Sequence, residues 1–353
     1  MKKEDVFEIN ITMLGGRRCG KTTTLASMYK NFKDIFSGTV LQLKKENKAT
    51  TEILNNKINE IEKYFTLGNK HFTPDGSPTG GFVDYSFLLE LLNKKGKDNN
   101  IKLTFNDMGG EAMISDAINH KSLEDKIKVS DVLIISIDTP YLLEEKGRYN
   151  NSRNNIVEIE DLITECFEKS EDEKKYKMVL FVPIKCERYY YNKKIDKVFS
   201  AVESCYKNLI KCIKSYCYTA IMPVETMGGL IFQRFGRDDN YQYKIDPKYE
   251  YPNEPIYAFR VDEMYNPKYC EKPLLYTIFY ALSIMEMSIS DRETKMSKSF
   301  FGLGSLFNKF REKVLKHPTS KDFMEQIKLI EEKMKINNEF VKIISNPLNV
   351  KEI

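Results

Sequence analysis

The stretch Ile11–Tyr29, ITMLGGRRCGKTTTLASMY, decides how the rest of this chain is read. Before its glycines, Phe7–Leu14 is a short, apolar and β-branched run, a pattern suited to a buried strand. After them, Leu25, Met28 and Tyr29 recur at helical spacing. Between strand and helix, Gly15 and Gly20-Lys21-Thr22 fit the spacing G-x-x-x-x-G-K-[ST]. Glycines in such a loop let the backbone fold back, so that several N–H groups converge on phosphate oxygens at a helix N-terminus. Lys21 would then reach the β- and γ-phosphates, and the Thr22 hydroxyl would bind Mg²⁺. Gly16, Arg17, Arg18, Cys19 and Thr23 complete the nucleotide-binding loop. The prediction is a nucleotide phosphate site.

A second signal lies at a strand end. FNDMGGEA, Phe105–Ala112, begins within the strand run IKLTFNDM and continues past its end. Asp107 there would hold Mg²⁺ through water, and the Gly110 N–H would sense a γ-phosphate. FVDYSFLLELL (82–92) and IKLTFNDM (101–108) read as two strands joined by the polar link NKKGKDNN. DVLIISID (131–138) and MVLFVPI (178–184) are continuous apolar runs, as strands buried on both faces should be. Ile156, Ile159, Ile163 and Phe167 mark a helix, and Ile195 to Ile213 another. YTAIMPVET (218–226) reads as a further strand, IYAFRV as a returning one, and Lys272 to Met287 as a closing helix. Strand and helix alternate, which indicates an α/β fold with a largely parallel sheet.

Composition narrows the partners. The 353 residues carry 55 basic and 51 acidic side chains, a net charge of +4, too balanced to make nucleic acid the expected partner. A 41% hydrophobic content is enough for a real core. Seven cysteines are scattered without pairing motifs, which predicts free thiols in a reducing compartment. His71, His120 and His317 show no metal-ligand spacing. MKKEDVFE lacks an apolar core for a signal peptide, and Leu274–Met287 is too short and too polar to span a bilayer. The reading is cytoplasmic.

GGRRCGKT, a threonine-bearing loop, the hairpin and DMGGE together resemble a Ras-like G domain of the translation-factor-related P-loop GTPases. More narrowly, GGRRCGKTT with DMGGEA and VPIKCER is similar to the double-GTPase group of bacterial conflict and defence systems. The resemblance covers roughly residues 6–290. It implies a three-layer P-loop NTPase fold, mostly parallel with one antiparallel hairpin strand, and a C-terminal helical tail. The G domain would then occupy 1–290, with insertions near 38–70 and 230–255, and a basic helical extension would occupy 291–353. It also implies GTP or GDP as ligand and Mg²⁺ as cofactor.

The resemblance assigns further roles. A threonine ahead of the second hairpin strand would close over Mg²⁺ and the γ-phosphate; Thr79 is the candidate and Thr73 its rival. The family reads guanine with Asn-Lys-x-Asp. Here PIKCER keeps Lys185 but has Ile184 for the asparagine and Glu187 for the aspartate. A carboxylate there would accept guanine N1–H and N2–H as a pair. VETMGG (224–229), with Glu225 and Thr226, loosely resembles the loop that completes base binding. Where family members often orient the attacking water with glutamine, this chain has Glu111, which adds negative charge beside the γ-phosphate. Arg17 and Arg18 are candidates to neutralise it, with Lys21, Thr79 and Glu111 completing the catalytic set. Slow GTP hydrolysis is therefore expected, with a nucleotide-bound scaffold or an ATPase as alternatives.

From Asp291 onward the chain changes character, with thirteen basic and nine acidic residues. In SKSFFGLGSLFNKFREKVLKH, Ser297–His317, the residues Leu303, Leu306, Phe307, Phe310 and Val314 fall on one helical face beside Lys309, Arg311, Lys313 and Lys316. Packing back on the G domain is favoured over a protein partner or a membrane surface. A protein partner is expected through the switch loops or this tail.

Overall fold

The computed structural model describes residues 7–35, 41–45, 48–67, 82–91, 99–108, 117–168, 177–245, 251–252, 255–260, 264–290 and 320–347. Thr73, Thr79, Gly110, Glu111 and the stretch Ser297–His317 lie outside them, so their assigned roles rest on the sequence.

The strand before the glycines is β1 (Phe7–Leu14), and Lys21 opens α1 (Lys21–Ile35). Ile9, Ile11 and Met13 of β1 turn to one face, where Leu25, Met28 and Phe32 of α1 meet them; Leu14 belongs to the opposite face. β2 (Leu41–Lys45) and α2 (Lys48–Leu67) follow, then β3 (Phe82–Leu91) and β4 (Asn99–Met108). After α3 (Ala117–Val129), the runs of apolar residues become the buried central strands β5 (Val132–Asp138) and β6 (Lys177–Ile184). Between β5 and β6 come the short α4 (Thr139–Leu143), a 3₁₀ turn (Glu144–Gly147), α5 (Asn150–Asn154) and α6 (Ile156–Glu168). α7 (Glu187–Tyr191), α8 (Ile195–Cys205) and α9 (Lys207–Ile213) lead to β7 (Cys217–Ile221). β8 (Leu230–Phe235), β9 (Pro255–Phe259), α10 (Glu271–Ser290), α11 (Ser320–Lys335) and β10 (Lys342–Ser345) complete the described elements.

The sheet order is β10-β7-β6-β5-β1-β4-β3-β2. β4, β1, β5, β6 and β7 run parallel, with Met13 opposite Asp107 and Leu14 opposite Ile135. Alternate residues of β5 and β6 enter two cores. Ile134, Leu180 and Val182 pack under α1 and α10, and Ile135, Val179 and Phe181 under α6, α8 and α9. This is a three-layer α/β fold of the P-loop NTPase type, its crevice at the carboxyl ends of the strands beside β1.

Two antiparallel pairs are added to the sheet beyond the single one expected. β3 pairs with β4 as foreseen, β2 adds to β3, and β10 adds to β7. The helix read across 195–213 is two, broken at Tyr206, whose buried ring packs on Phe181 with centroids 5.2 Å apart. The strand read over 218–226 ends at Ile221, and Glu225 pairs with Lys268 as an isolated bridge. Within the 230–255 insertion, β8 forms a separate two-stranded sheet with β9.

Residues 320–347, beyond the boundary drawn at 290/291, lie on this fold. Ile330 and Met334 are fully buried in the core that holds α10. Lys272 on α10 donates to the carbonyls of Met334 (2.8 Å) and Ile336, capping the end of α11, while Tyr276 Oη donates to Asn338 Oδ1 at 2.7 Å. Burial pulls the Lys272 ammonium below its ordinary value. Among the described residues no helix is long and apolar enough to cross a membrane, and all seven cysteines are free thiols.

Candidate nucleotide site

The loop after β1 turns under constraint. Gly15 has φ 146°, and a Cβ there would come within 2.6 Å of the Ser136 carbonyl oxygen on β5, so only glycine fits. The loop ends on α1, whose first turn carries no acidic residue. Its N-terminal N–H groups and dipole are therefore available to an anion rather than to a carboxylate of the chain itself. Lys21 is 7% exposed and donates to the carbonyls of Gly15 (3.0 Å) and Gly16 (3.3 Å), which folds its ammonium over the loop mouth. Cys19 turns its thiol into the core, Thr23 is half-buried, and the Arg18 side chain is exposed while Arg17 is half-buried.

Strand pairing sets Asp107 beside this mouth, and Thr22 Oγ1 donates to Asp107 Oδ2 at 2.5 Å. Burial raises the Asp107 carboxyl above the usual range, against the lowering influence of Lys21 and the Thr22 hydroxyl. A desolvated carboxylate and a hydroxyl this close are the hard oxygen donors that Mg²⁺ prefers. The residues fit that ion, which Thr22 and Asp107 would hold from the protein side.

The segment expected to read the base follows β6. Lys185 adopts φ 61°, its stem runs near Gly20, and its Nζ donates to Asp138 Oδ2 at 2.7 Å. Glu187 does not stand open as a paired acceptor. Its Oε1 accepts the backbone N–H groups of Met227 (2.7 Å) and Gly228 (3.3 Å), and the side chain is 4% exposed. Burial pushes its carboxyl up to about 8, Glu225 adds to the rise, and the backbone donors oppose it. One oxygen of the carboxylate expected to clamp a base thus ties the 224–229 loop to the segment after β6. Glu225 and Thr226 are buried in that loop, and the Thr226 carbonyl accepts Ser27 Oγ at 3.0 Å, which seats the loop on α1.

Sequence reasoning missed a cluster at the end of β5. Asp138 is fully buried, and its Oδ2 receives Arg153 Nε (3.2 Å) and Nη2 (3.1 Å) besides Lys185. Burial alone would lower the Arg153 guanidinium, but Asp138 and the neighbouring tyrosines raise it overall, so it stays charged. The one available signal was a lone arginine in the asparagine-rich run NNSRN.

No family model matches this chain, and no curated protein matches it. Among solved structures it is similar to the GTPase-like domain of S. cerevisiae Ski7 bound to GDP and inorganic phosphate. That match has 15% identity over 70% of this chain and 47% of that one, with a TM-score of 0.39. The same domain bound to GTP matches at 13% identity over 63% and 43% of the two chains, TM-score 0.37. Sup35 complexed with GDP matches at 12% identity over 70% and 43%, TM-score 0.25. The chain spans less than half the length of each.

Proposed function

We propose that this chain binds GTP and GDP with Mg²⁺ and hydrolyses GTP slowly to GDP and phosphate, acting as a switch toward a protein partner. The observation that carries the proposal is the meeting of Lys21, Thr22 and Asp107 at the open N-terminus of α1, with Thr22 Oγ1 2.5 Å from Asp107 Oδ2. Lys21 would hold the β- and γ-phosphate oxygens, and the loop N–H groups would orient them. Mg²⁺, when bound, neutralises charge on those oxygens. The resemblance of the motif segments supports a bacterial conflict or defence setting. Identifying the nucleotide released on denaturing the purified protein tests the reading directly; a protein that neither carries nor takes up a nucleotide would refute it.

Turnover is expected to be slow. Glu111 replaces the glutamine often used to orient water, and a carboxylate there adds repulsion at the γ-phosphate. Single-turnover phosphate release by the isolated protein should take on the order of an hour or more. Fast release would overturn this and make Arg17 and Arg18 the first residues to replace.

The burial of Glu187 favours the ATPase reading. A Glu187 carboxyl raised to about 8 is mostly protonated at neutral pH, and then offers an O–H donor where guanine needs an acceptor. Folding favours the protonated form, so that contribution is full below the unfolded value of 4.5 and is lost as pH rises toward about 8. If Glu187 reads guanine, preference for GTP over ATP should widen between pH 6.5 and 9, and Glu187→Gln should abolish that widening. Competition of GTP and ATP against fluorescent GDP measures it. A preference that stays constant over this range would remove Glu187 as the base reader.

A further inference from the structure

We propose that α5 is a brace for the phosphate loop and that Arg153 is a positioning residue for the nucleotide phosphates. The proposal rests on the nucleotide reading above and adds to it a residue outside every motif.

Three contacts join α5 to the loop and to the strand beside it. A Cβ on Gly16 would come within 1.8 Å of the Arg153 carbonyl oxygen, so the two backbones touch with no side chain between them. Arg153 Nη2 donates to the Arg18 carbonyl at 2.8 Å. Asn154 Oδ1 accepts the backbone N–H of Asp138 at 2.7 Å, which fixes α5 to the end of β5.

The second contact bears on phosphate binding. Arg18 holds φ 53°, a left-handed conformation that a residue with a Cβ keeps only when its surroundings enforce it. In a trans peptide the carbonyl and the following N–H point opposite ways. Holding the Arg18 carbonyl on the guanidinium therefore turns the Cys19 N–H away from Arg153, and it donates to the Gly16 carbonyl at 3.3 Å, closing a turn inside the loop. Arg153 thus holds both ends of that turn, Gly16 by backbone contact and Arg18 by its carbonyl, and with them the path of the loop that would receive phosphate.

The guanidinium has little freedom of its own. Asp138 holds Nε and Nη2, while Nη1 donates to Tyr251 Oη at 3.0 Å. The rings of Tyr141 and Tyr251 lie 4.8 and 4.9 Å from it. Tyr251 and Pro252, whose carbonyl accepts the Tyr141 hydroxyl, belong to the insertion between β8 and β9. One side chain thus links that insertion to the phosphate loop. A lysine at 153 would keep a charge for Asp138, but a single ammonium cannot replace a planar fork that serves Asp138, Arg18 and Tyr251 together.

The test follows dissociation of fluorescent GDP from the full chain after a chase with unlabelled GDP, together with the ³¹P shift of the bound β-phosphate. Arg153→Lys should release GDP roughly tenfold faster, as expected for loss of one charge-assisted hydrogen bond. The β-phosphate resonance should move with it, which a merely structural role would not require. Tyr251→Phe keeps the ring, drops one partner, and should shift both readouts the same way by less. A folded Arg153→Lys protein with unchanged release and unchanged ³¹P shift overturns the proposal. Should that variant fail to fold, Tyr251→Phe decides, and unchanged values there overturn it. An unsubstituted protein that takes up no nucleotide defeats the functional reading itself, and this proposal with it.

Discussion

Lys21→Ala is expected to abolish nucleotide binding. Lys21 supplies the point charge at the loop mouth, within 3.3 Å of two loop carbonyls and next to the buried Asp107. Removing one member of a desolvated charge pair costs about 2–5 kcal/mol, roughly thirtyfold to several thousandfold in affinity. A second effect has the same sign. Lys21 lowers the Asp107 carboxyl against the upward push of burial, so its loss drives that carboxyl further toward the protonated form. Mg²⁺ would then meet a neutral acid more often, and triphosphate binding would weaken beyond the direct loss. Titration with a fluorescent GTP analogue measures both, with and without Mg²⁺. Unchanged affinity in the variant would remove the loop from the phosphate site altogether.

Ending the chain after Ser290 should bring the protein to the edge of unfolding. The cut removes Ile330 and Met334, both fully buried, at about 1.5–3 kcal/mol each. It also leaves the Lys272 ammonium without the two carbonyls it caps, about 1–3 kcal/mol more. Together these approach the whole stability of a typical domain, about 5–15 kcal/mol. Thermal melting of the truncated and full chains, each with and without GDP, reads the effect. A truncated protein that melts like the full chain and keeps its nucleotide would instead support the boundary at 290/291 as a true domain limit.

How much of this was legible depends on how far apart the contacts lie. β1, the loop and α1 are contiguous, so spacing alone conveys them, and Asp107 is readable because it ends an apolar strand. α5 has five residues and no apolar period, so nothing local marks NNSRN as a helix. Its role comes from contacts with Asp138, Tyr251 and Arg18, which lie 15, 98 and 135 positions away. Glu187 shows the same limit in another form. Motif spacing put it beside the base loop, but only the fold reveals that Met227 and Gly228 take its Oε1. β10 is four residues long and half-buried, too brief for alternation to stand out from the chain around it. The break at Tyr206 was hidden because the apolar positions of α8 and α9 stay nearly in phase across it.

The pairing of β10 with β7 also sets a timetable. Ser345 Oγ reaches the Cys217 carbonyl across 128 positions of sequence. At a synthesis rate of about 5–20 residues per second, several seconds to about half a minute separate the emergence of the two strands from a ribosome. During that interval β1, the loop after it and β5 to β7 are already outside and able to pair, while one edge of β7 has no neighbour. An open strand edge is a template for other chains. Crowded polysomes making this protein would place many such edges close together, so slowing translation over 222–341 should raise the aggregated fraction while leaving the mature protein unchanged.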